Sequence, residues 1–149
     1  MKITISTLST DDKELWQRLY RGYADFYQMP MTQQTLDQVW AWIFAPSPRL
    51  FALIAKDENH NGVGLMHYRE MVSPLRGKPV GFLDDLYVVP DSRGSGVVDK
   101  LFDRLQLEAQ QQNWPYVRWI TADDNYRGRA VYDRLADKTQ WVTYQLPVS

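Results

Sequence analysis

Residues 82–98 read FLDDLYVVPDSRGSGVV, and this stretch predicts a strand, a turn and the start of a helix. Residues 82–89 are rich in the apolar, aromatic and β-branched side chains of a central strand. Beyond the turn, apolar residues recur at the three- and four-residue spacing of an amphipathic helix: Val97, Val98, Leu101, Phe102, Leu105 and Ala109. The stretch therefore predicts a strand that leads directly into the N-terminus of a long helix.

The turn itself has the composition of an anion site. Gly94 and Gly96 remove side chains where an anion would approach the backbone closely, and Arg93 adds a charged donor. The first N–H groups of a helix lack intrahelical partners and lie at the positive end of its dipole. A pyrophosphate suits such a turn. The turn has neither the Gly-Lys-Ser/Thr of a P-loop nor the Rossmann glycine spacing, and a purely structural turn stays open at this point.

Apolar residues at helical or strand spacing predict the other elements of the chain, which follow in the order β-α-α-β-β-β-α-β-α-β. Strands are predicted over residues 2–6, 50–55, 62–71, 82–89, 116–121 and 141–146, and helices over 16–27, 36–44, 97–109 and 125–135. Strands that alternate with helices predict an α/β (α+β) fold, with a mixed central sheet flanked by helices. We find no internal repeat and no long linker, so we expect residues 1–149 to form a single domain.

Composition narrows the function classes. A net charge of −1 and a pI of about 6.1 give no basic field, so we expect neither a nucleic-acid nor a membrane partner. The start lacks a signal-peptide pattern and the longest apolar stretch, 39–46, is too short to span a bilayer, so a cytoplasmic location is expected. With no cysteine and two histidines, no closed metal site or cysteine nucleophile is expected.

A second pair of polar residues lies downstream of the turn. Asn125 opens a predicted helix directly after a predicted strand, and Tyr132 follows seven residues later. Seven residues are nearly two helical turns, so both side chains project on one face. From the spacing alone, Tyr132 could equally be a half-buried core tyrosine.

With these residues the chain resembles the GNAT acetyltransferases. Their motif Arg/Gln-x-x-Gly-x-Gly/Ala is matched from Arg93 to Gly96, with Val98 in place of the final small residue. Their Asn-x₆-Tyr spacing is matched by Asn125 and Tyr132. The acidic pair within residues 83–88 is similar to the spermidine/spermine N-acetyltransferase branch. The resemblance covers residues 82–133; the usual Gly-Phe after the tyrosine helix is missing, and Trp141 stands near its place.

The resemblance implies acetyl-CoA as the cosubstrate and assigns its contacts. The central strand splays from its neighbour, and pantetheine pairs with the backbone of Leu86, Tyr87 and Val88. Pyrophosphate binds the turn, Asn125 holds the amide arm of the cofactor, and Tyr132 protonates the departing thiolate. The turn contacts are Arg93, Gly94, Ser95, Gly96, Val97 and Val98.

The acceptor side is expected around an acidic pair. Asp84 and Asp85 are neighbours in a strand, so their side chains face opposite sides of the sheet. In a central strand the two carboxylates cannot both face solvent. We predict Asp84 as a catalytic residue, since it aligns with the acceptor-site acid of the polyamine branch. Asp85, Tyr23 and Tyr27 are predicted to bind the substrate, because acids beside aromatic faces favour ammonium groups. The aromatic stripe of the first helix, Tyr20, Tyr23, Phe26 and Tyr27, could instead be core. We predict a structural role for His67, with a substrate-side base as the alternative.

Together these features predict an N-acetyltransferase that transfers acetyl from acetyl-CoA to a primary amine by direct attack. A polyamine, an amino acid or a similar small amine is the expected acceptor, without a metal ion or a covalent acyl-enzyme. A non-catalytic, acyl-CoA-binding sensor domain of the same fold is the alternative. The oligomeric state is open, a homodimer included.

Overall fold

A five-stranded sheet in the order β1-β2-β3-β4-β5 organises the first part of the chain. The computed structural model describes residues 1–148, which divide into a unit of Met1–Trp119 and a second unit that begins at Ile120. The strands are β1 Thr4–Thr7, β2 Phe51–Lys56, β3 Gly62–Ser73, β4 Lys78–Val88 and β5 Val117–Arg118. The helices are α1 Lys13–Phe26, α2 Gln33–Ile43, α3 Val97–Gln111 and α4 Tyr126–Leu135.

The sheet is mixed, as predicted. Strands β1 to β4 pair antiparallel, and β5 pairs parallel to β4 after the crossover through α3. Each central strand supplies both faces because successive side chains point to opposite sides. On β3, Leu65 joins the cluster built with α1 and α2, whereas its neighbour Met66 joins the cluster built with α3. The predicted fold class, a mixed sheet flanked by helices, is confirmed.

A β-bulge interrupts the pairing of β3 with β4. His67 pairs with Asp85 and the next residue, Tyr68, pairs with Leu83, so Asp84 is the extra residue on β4. A bulge of this kind re-aims the side chains on either side of it. On one side Leu83 packs in the α3 cluster; on the other, Tyr87 packs in the α1 and α2 cluster. The bulge thus decides which face of the sheet Asp85 occupies.

The unit that begins at Ile120 contains α4. The Asn125 side chain caps this helix by accepting from the Gly128 N–H at 3.3 Å, in agreement with the helix start predicted there. The strand predicted over residues 141–146 is wrong: no helix or strand occurs over residues 136–148. A strand needs a ladder partner, and alternation alone does not supply one. Four apolar side chains in this stretch are 74–91% exposed: Trp141, Val142, Tyr144 and Leu146.

Two element bounds differ from the predictions in an informative way. The strand predicted over 116–121 is limited to Val117–Arg118, and β4 begins earlier than predicted, at Lys78. The long β4 and the short β5 leave part of one strand edge without a strand partner. Within residues 1–148, no helix has the length and apolar character that a bilayer span requires.

Candidate active site

The edge of β4 that faces β5 is paired over only two residues. Gly81 pairs with Val117 and Phe82 pairs with Arg118. Among residues 1–148, no strand pairs with this edge beyond Phe82, although β4 continues to Val88. The edge over residues 83–88 therefore presents backbone groups that another extended chain could meet.

The register identifies which backbone groups face this open edge. The Val89 N–H donates to the Val63 carbonyl oxygen at 3.0 Å, so the backbone of Val89 points toward β3. Backbone polar groups alternate sides along a strand, so those of Tyr87 point toward β3 and those of Leu86 and Val88 point away. Of the three predicted pantetheine contacts, Leu86 and Val88 thus offer backbone groups to the open edge. Tyr87 instead directs its side chain toward α1, where the ring contacts Gly22.

The turn after β4 has the backbone shape that its glycines permit. Gly94 has φ 81° and Gly96, the residue before α3, has φ 87°, both in the left-handed region that favours glycine. A Cβ at either position would meet open space, with no atom within 4 Å. Ser95 Oγ donates to the Ser92 carbonyl oxygen and tightens the turn. The turn and the N-terminus of α3 therefore form an uncrowded site whose first helical N–H groups have no acceptor within the helix, which suits an anion.

Arg93 lies between this turn and α1. Its Nε donates to the Val88 carbonyl oxygen at 3.3 Å, and its Cζ lies 5.2 Å from the centre of the Phe26 ring. The guanidinium is therefore held at the end of β4 by a hydrogen bond and an aromatic face. Phe26 was not predicted as a site residue; its membership of the α1 aromatic stripe was the only signal in the sequence.

Asp85 faces α1 and accepts several hydrogen bonds. Tyr20 Oη donates to Asp85 Oδ2 at 2.9 Å, and His67 Nδ1 lies 2.9 Å from the same oxygen. The Tyr23 hydroxyl also stabilises the charged form of this carboxylate. Burial would raise the pKa of Asp85, but the hydrogen bonds from His67, Tyr23 and Tyr20 outweigh it and hold the pKa below its ordinary value of 3.8. Asp85 is thus a carboxylate anion at neutral pH.

Tyrosine rings surround this carboxylate. Tyr23 lies 5.7 Å from Tyr20, 4.8 Å from Tyr27 and 6.5 Å from Tyr87 between ring centres. Burial first, and then the charge of Asp85, raise the pKa of the Tyr20 and Tyr23 hydroxyls, which therefore remain neutral donors. The structure thus brings together the three predicted substrate-binding residues, Asp85, Tyr23 and Tyr27, the last of which is exposed.

Asp84 has different surroundings. It lies at the bulge, and Arg69 Nε donates to its two carboxylate oxygens at 2.9 and 3.2 Å. Partial burial raises the pKa of the Asp84 carboxyl, and the hydrogen bond and charge of Arg69 oppose that increase. The catalytic role predicted for Asp84 stays a prediction. Its carboxylate is already paired with a cation, whereas that of Asp85 is surrounded by neutral donors.

The two residues predicted on α4 lie in the second unit. Besides capping α4, Asn125 donates through Nδ2 to Thr121 Oγ1 at 2.9 Å. Tyr132 lies within α4, seven residues after this cap. The cofactor contact of Asn125 and the general-acid role of Tyr132 stay predictions. Over residues 1–148, no group of three or more histidine, aspartate or glutamate side chains is arranged to hold a metal ion.

Comparisons with known proteins agree on the family. Residues 16–136 match the profile of the Acetyltransferase (GNAT) family. The chain is 28% identical over 145 residues to the D-amino-acid N-acetyltransferase HPA3 of Saccharomyces cerevisiae, covering 97% of this chain and 90% of that protein.

Solved structures share the fold. A ribosomal-protein-alanine N-acetyltransferase from Brucella melitensis superposes with a TM-score of 0.82 at 22% identity, over 99% of this chain and 100% of the other. AAC(6')-Iy, in complex with the bisubstrate analogue CoA-S-monomethyl-acetylneamine, superposes with a TM-score of 0.84 at 18% identity over the whole of both chains. The open strand edge and the glycine turn are the features expected of a fold that binds acetyl-CoA. The chain belongs to the GNAT family and is an acetyltransferase.

Proposed function

We propose that this acetyltransferase transfers the acetyl group of acetyl-CoA to a small amine that carries positive charge. The observation that carries the proposal is the position of Asp85, an ionised carboxylate among tyrosines that lies within the open-edge segment of β4, residues 83–88. An anion beside aromatic faces attracts an ammonium group by charge and by cation–π contact. The cosubstrate and the acceptor would then approach the same segment of one strand.

The cosubstrate would bind in two parts. Its pantetheine arm would hydrogen-bond the backbone of Leu86 and Val88, and its pyrophosphate would bind the turn from Arg93 to Val98. The first helical N–H groups of α3, the left-handed glycines and the Arg93 guanidinium support the second contact. Asn125 would hold the amide part of the arm, as the GNAT resemblance suggests.

The reaction would be a direct transfer. The neutral amine nitrogen forms a bond to the thioester carbon, and the C–S bond then breaks to release the CoA thiolate. An N–H of the open edge, at Leu86 or Val88, would stabilise the oxyanion, and the Tyr132 hydroxyl would protonate the thiolate. The acceptor must lose a proton before it attacks, since alkylamines are mostly protonated at pH 7. Asp84 or a water molecule would take that proton.

The acceptor class follows from charge. The relative from Saccharomyces cerevisiae is named for D-amino acids, which are amines. The Asp85 carboxylate supports a polyamine or another acceptor with a second cationic group, whereas Arg69 already neutralises Asp84. Amino acids with basic side chains satisfy both indications.

A thiol-release assay with acetyl-CoA tests the proposal. Diamines, polyamines, D- and L-amino acids and an aminoglycoside are each supplied, and thermal shift with CoA is measured in parallel. We expect CoA to raise the melting temperature and cationic acceptors to drive thiol release. A chain that binds CoA but releases no thiol with any amine would instead be the acyl-CoA sensor described above as the alternative.

A further inference from the structure

A buried hydrogen-bond chain runs from α1 through β3 to Asp85. Trp16 Nε1 donates to His67 Nε2 at 2.9 Å, and His67 Nδ1 lies 2.9 Å from Asp85 Oδ2. The side chains of Trp16 and His67 are both fully buried, with 0% of their surface exposed. Neither residue can reach a substrate, and the transfer chemistry leaves both unused.

The chemistry of the indole fixes the direction of this chain. An indole N–H can only donate, so His67 Nε2 must accept and carries no proton. A neutral imidazole then carries its single proton on Nδ1, directed at Asp85. The Tyr20 ring, 4.6 Å away and edge-on to His67, packs against the imidazole. The imidazole therefore has a single tautomer that donates to the carboxylate.

We propose that Trp16 and His67 are positioning residues for the acceptor, because together they hold Asp85 as an anion that anchors the ammonium group. This inference rests on the proposed function. A proton placed on Asp85 could not pass on to His67, because Nδ1 already carries a proton and the indole N–H occupies Nε2. The tyrosine hydroxyls around Asp85 are neutral donors and likewise leave the carboxylate in its ionised form.

Trp16→Phe removes the indole N–H and keeps an aromatic ring. Nε2 of His67 is then free to carry a proton. The alternative tautomer would turn a lone pair toward the carboxylate, and an imidazolium would neutralise the charge of Asp85. Either change weakens the anchor. The titratable groups that face His67 are Asp85 and Asp84 from β4 and Tyr20 from α1, while β2 places Ala52 beside it.

Imidazole ¹⁵N NMR tests the tautomer without reference to activity. The chain has two histidines, so a His60→Gln variant assigns both sets of signals. We expect the wild-type protein at pH 7.5 to show His67 with a protonated Nδ1 and a bare Nε2, and Trp16→Phe to lose that single pattern. A wild-type His67 protonated on Nε2 overturns the inference.

Kinetics test the consequence for the acceptor. We expect Trp16→Phe to raise the KM of a cationic acceptor roughly tenfold at pH 7.5, with kcat and the KM of acetyl-CoA changed by less than about threefold. Trp40→Phe is the matched control: its ring lies 5.2 Å from Trp16 in the same cluster, so it reports lost packing alone.

Two His67 variants distinguish the loss of the hydrogen bonds of His67 from a general loss of folding. The side-chain amide of Gln can accept from the Trp16 indole and donate to Asp85, so His67→Gln should keep the acceptor KM within about threefold, and His67→Leu should raise it roughly tenfold. Equal effects of Trp16→Phe and Trp40→Phe, or of His67→Gln and His67→Leu, overturn the inference. If the wild type acetylates no amine, the proposed function fails; if it does and Trp16→Phe keeps the wild-type acceptor KM, only the positioning role fails.

Discussion

Replacing Asp85 by Asn removes the charge proposed to hold the acceptor and changes little else. The amide oxygen can take the place of Oδ2, which accepts from Tyr20 and His67. The amide nitrogen then faces Tyr23, whose hydroxyl can rotate to accept from it. Most hydrogen bonds at this position should therefore be kept. We expect the variant to fold, with a free energy of unfolding about 1 kcal/mol below that of the wild type. What it lacks is the negative charge.

The magnitude follows from the burial of that charge. Two unit charges about 4 Å apart attract by about 4 kcal/mol at an effective dielectric constant near 20. The Asp85 side chain is 16% exposed, so solvent screens part of this attraction, and the ammonium group loses hydration on binding. We therefore expect a loss of about 1.4 to 2.8 kcal/mol, a rise in acceptor KM of roughly 10- to 100-fold.

Steady-state kinetics with a diamine and acetyl-CoA measure this loss. Asp25→Asn, on the exposed side of α1, changes the net charge equally and is the matched control. Because the pKa of Asp85 lies below 3.8, the difference between wild type and Asp85→Asn should persist unchanged from about pH 8 to 5. An acceptor KM within about threefold of that of Asp25→Asn would refute the assignment of Asp85 to the acceptor.

Three further predictions concern the general acid, the turn before α3 and the buried tyrosines of α1. Tyr132→Phe should lower kcat roughly 10- to 1000-fold with little change in the KM of acetyl-CoA, because the variant lacks the general acid that protonates the leaving thiolate. A variant with the wild-type kcat would show that Tyr132 has no part in the mechanism. Gly94→Val should weaken CoA binding, measured by calorimetry, beyond its effect on the melting temperature, because its φ of 81° and the open space above it shape the phosphate turn; unchanged affinity in a folded variant contradicts that site. Burial raises the pKa of Tyr20 and Tyr23 above 10.0, so the stability that these residues contribute is complete below about pH 10 and falls above it, where the tyrosines of the unfolded state ionise. The melting temperature of the wild type should therefore decline more steeply above pH 10 than that of Tyr20→Phe. An equally steep decline in both proteins would contradict the prediction.

The sequence predicted the parts of the site that depend on local patterns. The β4, turn and α3 succession follows from apolar periodicity and two glycines, and the structure has both glycines in the left-handed region. The position of Tyr23 and Tyr27 on one face of α1 follows from their four-residue helical spacing. These features are local, so neighbouring residues in the chain determine them.

Other features depend on pairing between distant segments. The strict alternation of a strand placed Asp84 and Asp85 on opposite faces, but the bulge at Asp84, set by the register with β3, decides which carboxylate meets α1. Trp16 and His67 are 51 residues apart, and no local pattern predicts that they hydrogen-bond. Residues 141–146 alternate like a strand yet pair with none in the described chain, because alternation does not provide a partner.

One competition experiment tests most directly whether the protein acetylates cationic amines. Equal concentrations of a diamine, a basic amino acid, a neutral amino acid and glutamate are mixed with acetyl-CoA and the wild-type protein, and the N-acetyl products are quantified by mass spectrometry. Because Asp85 is held as an anion among tyrosines, we expect the acetylated diamine and basic amino acid to dominate the products. A product mixture dominated by N-acetylglutamate, or CoA release without any acetylated amine, would contradict it.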